Sequence, residues 1–376
     1  MLLLSGPNMG GNELKYITEC VETGWVSSVG SYVDRFEKMT AEFAGTKYAV
    51  AISSGTAALH ICLLMMGVNE NDYVIAPNIT FVATINAIKY TGACPVLIDT
   101  DERNWQMDLD LLEEFLTNET EQKQGTCYHK KTGKRISVIM PVHVLGNICD
   151  MDRLLILAQK HRITVVEDST EALGSYYKGR HAGTMGLLGT FSYNGNKIIT
   201  TGGGGMIVTN DEALARKAKH LTTQAKSDPF EYLHNAIGYN YRLVNISAAM
   251  GVAQMEQLSD FIKRKKEIIE FYKTTLNGIG DIEFQEVNQN VNPNWWLPTI
   301  KTAYQRKILK ALNDNKMQSR PFWVPMNQLN MFANDIYFNH NDRSDFLYKH
   351  CLSIPCSTNI TDEQLQAVSD KIKEVF

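Results

Sequence analysis

Between residues 48 and 208, short apolar runs return with room for one helix or loop between them. They are YAVAIS (48–53), YVIAP (73–77), CPVLID (94–99), SVIMPV (137–142) and ITVVED (163–168). The first is followed by the helix-like TAALHICLLMMG. The fourth and fifth are separated by DMDRLLILAQKHR, which opens near a capping aspartate and carries apolar residues at helical spacing. Strands alternating with helices in this way build a mostly parallel α/β sheet. Sheets of that kind bind ligands outside the carboxyl ends of their strands. The residues at those ends are Ser54, Gly55 and Thr56, then Phe81, His143, and Asp168 with Glu171.

At 376 residues the chain suggests two domains, or one large domain with an appendage. After about residue 245 the rhythm changes. SAAMGVAQMEQLSDFIKRKKEIIEFYKTTL reads as one long helix leading to a smaller α+β domain of roughly 120 residues. There, NWWLPTI and CLSIPC are strand candidates. The expected division is 1–255 and 256–376, and the polar stretch 117–135 is expected to be a solvated loop or hairpin without a catalytic role. Hydrophobic residues make up 44% and charged residues 21%, as in an ordinary globular protein, and a net charge of −4 with mixed signs gives no footprint for nucleic acid. No segment reads as a signal peptide or membrane span. The seven cysteines, mostly in apolar runs, read as reduced thiols of a cytoplasmic protein, and no spacing suggests a metal.

Small residues between a strand and a helix, as in SSGTAALH, leave backbone N–H groups at the helix start free for an anion such as phosphate. The same residues could equally be an ordinary N-cap. Asp168 in VVEDSTEALG could also be a cap, or it could hold a proton on a buried heterocycle, as pyridoxal phosphate requires at its ring nitrogen. Lys197 lies in GTFSYNGNKIITTGGGGMIVTN among apolar residues and glycine turns. An isolated lysine is most often a solvated charge, but a desolvated one has a depressed pKa suited to Schiff-base chemistry. The glycines at 202–205 do not form a G-x-G-x-x-G opening a helix, so a dinucleotide oxidoreductase is disfavoured.

Taken in order and spacing, SSGTAAL, PNITFVATINAI, VEDSTEALGS, GTFSYNGNKIITTGGGG, GYNYRLVNISAAMGVAQ, RPFWVP and LSIPCSTNIT resemble the DegT/DnrJ/EryC1/StrS sugar aminotransferases, from about residue 7 to the end. The opening GWVSSVGSYVDRFE and NGNKIITTGGGG look most like the subgroup of legionaminic-type nonulosonic acid pathways. The resemblance implies fold type I of the pyridoxal-phosphate transferases, with a mostly parallel seven-stranded sheet in a large domain and a smaller C-terminal domain. It implies that Lys197 forms the Schiff base and moves protons, that Asp168 pairs with the pyridinium nitrogen and that Phe81 stacks on the ring. Gly55, Thr56 and Ser192 would hold the phosphate, and Asn240 would reach the phosphate of a neighbouring subunit in a homodimer.

Trp25, Tyr32, His143, Arg242, Arg320 and Trp323 are candidates for the sugar-nucleotide site, although His143 could as well be a hydrogen-bonded structural histidine. Glu171 stands where many members have Gln or His against the cofactor's phenolic oxygen. Two facing anions require either a shared proton, the reading taken here, or a carboxyl turned away. The implied reaction transfers an amino group from L-glutamate to C4 of a nucleotide-linked 4-keto-6-deoxy sugar, with UDP-2-acetamido-2,6-dideoxy-hexos-4-ulose expected and a GDP- or dTDP-linked sugar as alternative. Lys197 disfavours the family's dehydratase branch, where a histidine replaces it. Lys197 and Asp168 together disfavour a non-catalytic regulator.

Overall fold

The computed structural model describes residues 1–228 and 230–376. A large sheet runs, in spatial order, through Tyr48–Ile52, Gly205–Thr209, Leu188–Ser192, Thr164–Asp168, Arg135–Ile139, Asp72–Pro77, Cys94–Ile98 and Ile336–Phe338. Gly205–Thr209 alone on this path pairs antiparallel to its neighbours. It follows Leu188–Ser192 through a loop with no crossover helix, so it can only return in the opposite direction. Five of these strands are the apolar runs read from the sequence, and Leu188–Ser192 and Gly205–Thr209 bring the number to the seven that the resemblance implies. The eighth, Ile336–Phe338, comes from the C-terminal part and extends the sheet in parallel at Cys94–Ile98. The 117–135 stretch contains the hairpin of Thr120–Lys123 and Thr126–His129, attached at Tyr128 opposite Arg135.

Apolar helices cover both faces. Gly55–Met65, buried on nearly every side, packs with Ala83–Tyr90 and Glu212–Thr222 on one face. Leu109–Asn118 and Met151–His161 cover the other. Asp150 caps the latter helix by accepting from Arg153 N–H, as its sequence context suggested. A separate C-terminal core gathers Ile300, Ile308, Leu352, Leu365 and Ile372 around a four-stranded sheet of Glu283–Phe284, Thr299–Lys301, Cys351–Ser353 and Arg320–Pro321.

The single long helix expected after residue 245 is two helices, Asn245–Met255 and Leu258–Leu276. Their partners explain the break. The first packs on Glu13–Thr23 and Ser31–Ala44, whereas the second packs on Asp362–Lys373. One straight rod cannot serve both. At the break, Gln254 and Gln257 both donate to Glu13 Oε1, which ties the corner to the N-terminal helix.

Candidate active site

A cavity of about 360 Å³ opens at the carboxyl ends of the parallel strands. Gly55, Thr56, Phe81, Asp168, Glu171, Ser192 and Lys197 all line it. Its other wall, with Leu4, Trp296, Arg320 and Trp323, comes from the chain's N-terminus and C-terminal part. Arg320 and Trp323 therefore join the cavity too, with Trp323 stacked on Phe322 at 5.1 Å.

One end of the cavity is a cradle. Ser54 caps the helix Gly55–Met65, its side chain accepting from Ala57 N–H, as the N-cap reading expects. A Cβ on Gly55 would lie 2.9 Å from Ser192 Cβ and 3.1 Å from Thr170 Cγ2. Glycine is thus what lets the backbone come this close to Ser192. Phe81, which lines the cavity, is 53% exposed.

Asp168, at the end of its strand, is buried and held on both oxygens. Thr84 donates its hydroxyl to Oδ2 at 2.7 Å, and Thr170 donates its hydroxyl to Oδ1 at 2.7 Å. Neither threonine was singled out in the sequence: Thr84 reaches Asp168 from another element, which leaves no periodic trace, and Thr170 bonds it locally two residues on.

Lys197, whose side chain is 11% exposed, and Glu171 face each other with Nζ 3.9 Å from Oε1. The other carboxyl oxygen of Glu171, Oε2, accepts the Leu145 N–H at 2.8 Å. Leu145 is left-handed (φ 61), and this aims its N–H at Glu171. Burial pushes Glu171 up to about 7, against the opposing pull of Lys197. Burial likewise draws Lys197 below the ordinary lysine range, against the pull of Glu171 and then Asp168. A raised carboxyl beside a depressed amine brings the two groups' proton affinities closer together.

The remaining candidates lie elsewhere in the protomer. His143 is fully buried behind the site, its Nε2 2.9 Å from Glu167 Oε2, which is the structural alternative foreseen for it. Tyr32 is buried, its hydroxyl donating to Glu19. Trp25 is exposed on the loop ahead of Ser31–Ala44. Asn240 is exposed, and Arg242 bridges to Ile52 on the edge strand. None of these five lines the cavity. Trp296, which does, was missed because NWWLPTI reads as a strand, whereas Trp295 is left-handed and the strand begins at Thr299.

Residues 7–373 match the DegT/DnrJ/EryC1/StrS aminotransferase family. The chain belongs to this family. The GDP-perosamine synthase of Escherichia coli O157:H7 is 38% identical over 373 residues, covering 98% of this chain and 97% of that protein. The GDP-perosamine synthase of Caulobacter vibrioides is 37% identical over 336 residues, covering 88% and 86%. DesV of S. venezuelae, crystallised with a ketimine intermediate, superposes with a TM-score of 0.87 at 26% identity over 96% of this chain and 94% of its own. Helicobacter pylori PseC shares the fold, with a TM-score of 0.88 at 24% identity over 100% and 99%. This DegT/DnrJ/EryC1/StrS aminotransferase is therefore an enzyme that uses pyridoxal 5'-phosphate, and the cavity suits that group. A helix-start cradle, a buried carboxylate and a nearly buried amine line the one pocket. Among the described residues no helix is long and apolar enough to cross a membrane.

Proposed function

We propose that this aminotransferase moves the amino group of L-glutamate to C4 of a GDP-linked 4-keto-6-deoxy sugar. The observation that carries the reading is the meeting of Lys197, Asp168 and the Gly55 helix start in one cavity, in a chain 38% identical to a GDP-perosamine synthase. The UDP-linked N-acetyl sugar and the legionaminic-type pathway keep their support in the opening motif GWVSSVGSYVDRFE. The full-length relatives named above favour GDP.

Pyridoxal phosphate supplies a carbonyl that joins amines and a ring that withdraws electrons. The chain supplies the rest. Gly55, Thr56 and Ser192 hold the phosphate at the helix start, where the dipole and free N–H groups favour an anion. Asp168, oriented by Thr84 and Thr170, keeps a proton on the ring nitrogen. Phe81 covers the ring. Lys197 Nζ gives and takes the proton at the substrate carbon, and its burial keeps a neutral fraction available. Glu171 would share a proton with the cofactor's phenolic oxygen, a contact an amide could also make. Arg320 and Trp323 meet the sugar nucleotide at the mouth.

The same reading places the division of the chain at 255/256, between the two helices, with the cavity closed by the C-terminal part. It also pairs two copies. Phe230 and Ile237 are 90% and 84% exposed on the segment that leads into Asn240, which lies outside its own protomer's cavity. Apolar residues this exposed suit burial against a second copy, where Asn240 would reach the partner's phosphate.

The test incubates the enzyme with glutamate and GDP-, UDP- and dTDP-linked 4-keto sugars and identifies the amino sugar by NMR. Product from the GDP sugar is expected, and product from another nucleotide alone would replace it. Lys197→Ala should abolish turnover, and borohydride should fix the cofactor's mass on the Lys197 peptide of the wild type only. An active Lys197→Ala enzyme would remove lysine from the mechanism.

A further inference from the structure

Trp296 is 3% exposed, and Lys197 Nζ lies 3.9 Å from its ring centroid, within cation–π range. Three restraints aim the ring. The indole Nε1–H donates to the carbonyl of Asn196, the residue before Lys197, at 2.7 Å. The Trp296 main-chain N–H donates to Asn294 Oδ1 at 2.9 Å, while Asn294 Nδ2 donates to the carbonyls of Glu171 and Leu173 at 2.9 Å. The Trp296 carbonyl accepts from the buried Lys265 Nζ at 2.8 Å, and Lys265 also donates to the Cys356 carbonyl at 2.7 Å. Trp295 is held left-handed at φ 54 just before it, a conformation an aromatic residue adopts only when its surroundings enforce it.

The charged groups bearing on Nζ are Glu171 and Asp168, both from the large-sheet side. Trp296 bears on it from the C-terminal side. An aromatic face attracts an ammonium and does little for a neutral amine. We propose that Trp296 is a positioning residue for Lys197: its face seats the ammonium on the C-terminal wall and sets how much of the lysine is neutral, and so nucleophilic, at a given pH. The use the enzyme makes of this seat rests on Lys197 being the reacting amine. The contact itself does not.

The full-length enzyme, freed of pyridoxal phosphate by hydroxylamine and dialysis, is labelled with trace acetic anhydride across a pH series. The Lys197 peptide is then quantified by mass spectrometry, and the folding of each variant is checked by circular dichroism. In Trp296→Leu the labelling midpoint is expected to fall by on the order of half to one pH unit, so that below the midpoint Lys197 reacts about threefold to tenfold faster. Trp296→Phe keeps a weaker aromatic face and should show a smaller fall. A midpoint that stays or rises in Trp296→Leu, or that falls equally in both variants, overturns the proposal. If Trp296→Leu does not fold, Trp296→Phe decides: a fall supports the seat and no fall overturns it. The labelling does not depend on turnover, so an active Lys197→Ala enzyme would sink the reaction assigned to the lysine while leaving this result intact.

Discussion

Glu171 holds a proton that an ordinary surface glutamate would have lost, because it is buried and only partly compensated by Lys197 and the Leu145 N–H. The sign follows from its raised folded-state pKa. The folded protein binds the extra proton, so the contribution is complete below the ordinary glutamate range and is lost as pH rises through about 7. Glu171→Gln carries no such titration. Urea unfolding at about pH 5 and about pH 8 should therefore show the variant gaining stability over wild type as pH rises. An unchanged difference would mean that Glu171 is ionised throughout. The variant should keep its cofactor and much of its activity, since an amide can still accept the Leu145 N–H. Lys197, Asp168 and Glu171 could be picked out of the sequence because each sits at a strand end or in a charge-poor stretch. Thr84 could not, since what marks it is a partner 84 residues away on another element.

Two turns near the site depend on backbone that only particular residues allow. Gly146 is left-handed (φ 86), and a Cβ there would come within 1.8 Å of Asn294 Oδ1. Asn294 is the bridge between the Glu171 turn and Trp296, so the clash cannot be relieved by a flexible surface group. Gly146→Ala should cost more than about 2 kcal/mol in chemical denaturation, from both strain and the lost bridge. The cradle makes a milder case. In Gly55→Ala the added methyl meets Ser192 and Thr170 at 2.9 and 3.1 Å, so the helix survives but its start must shift. Equilibrium dialysis should show pyridoxal phosphate binding about tenfold more weakly, a loss of about 1.4 kcal/mol. The helix Gly55–Met65 and the strand Thr164–Asp168 were readable because each carries its own apolar run. The corner after Met255 was not, because periodicity continues across it while the packing partner changes.

Across the whole molecule, the sheet supplies one wall of the cavity and the C-terminal part supplies the other. If the apolar segment around Phe230 and Ile237 seats on a second copy, Ile237→Asp should shift sedimentation toward the monomer and weaken cofactor retention together. A dimer of unchanged affinity would free that face of the role. The succession of apolar runs and loops was enough for the α/β class and the strand-end residues, because period and spacing are local properties that survive in one dimension; the family was read from the resemblance of its ordered motifs. The eighth strand, the Leu145 N–H on Glu171 and the indole on Lys197 exist only once segments far apart in sequence are packed together. Each depends on a backbone direction or a side-chain approach set by neighbours the local sequence does not contain.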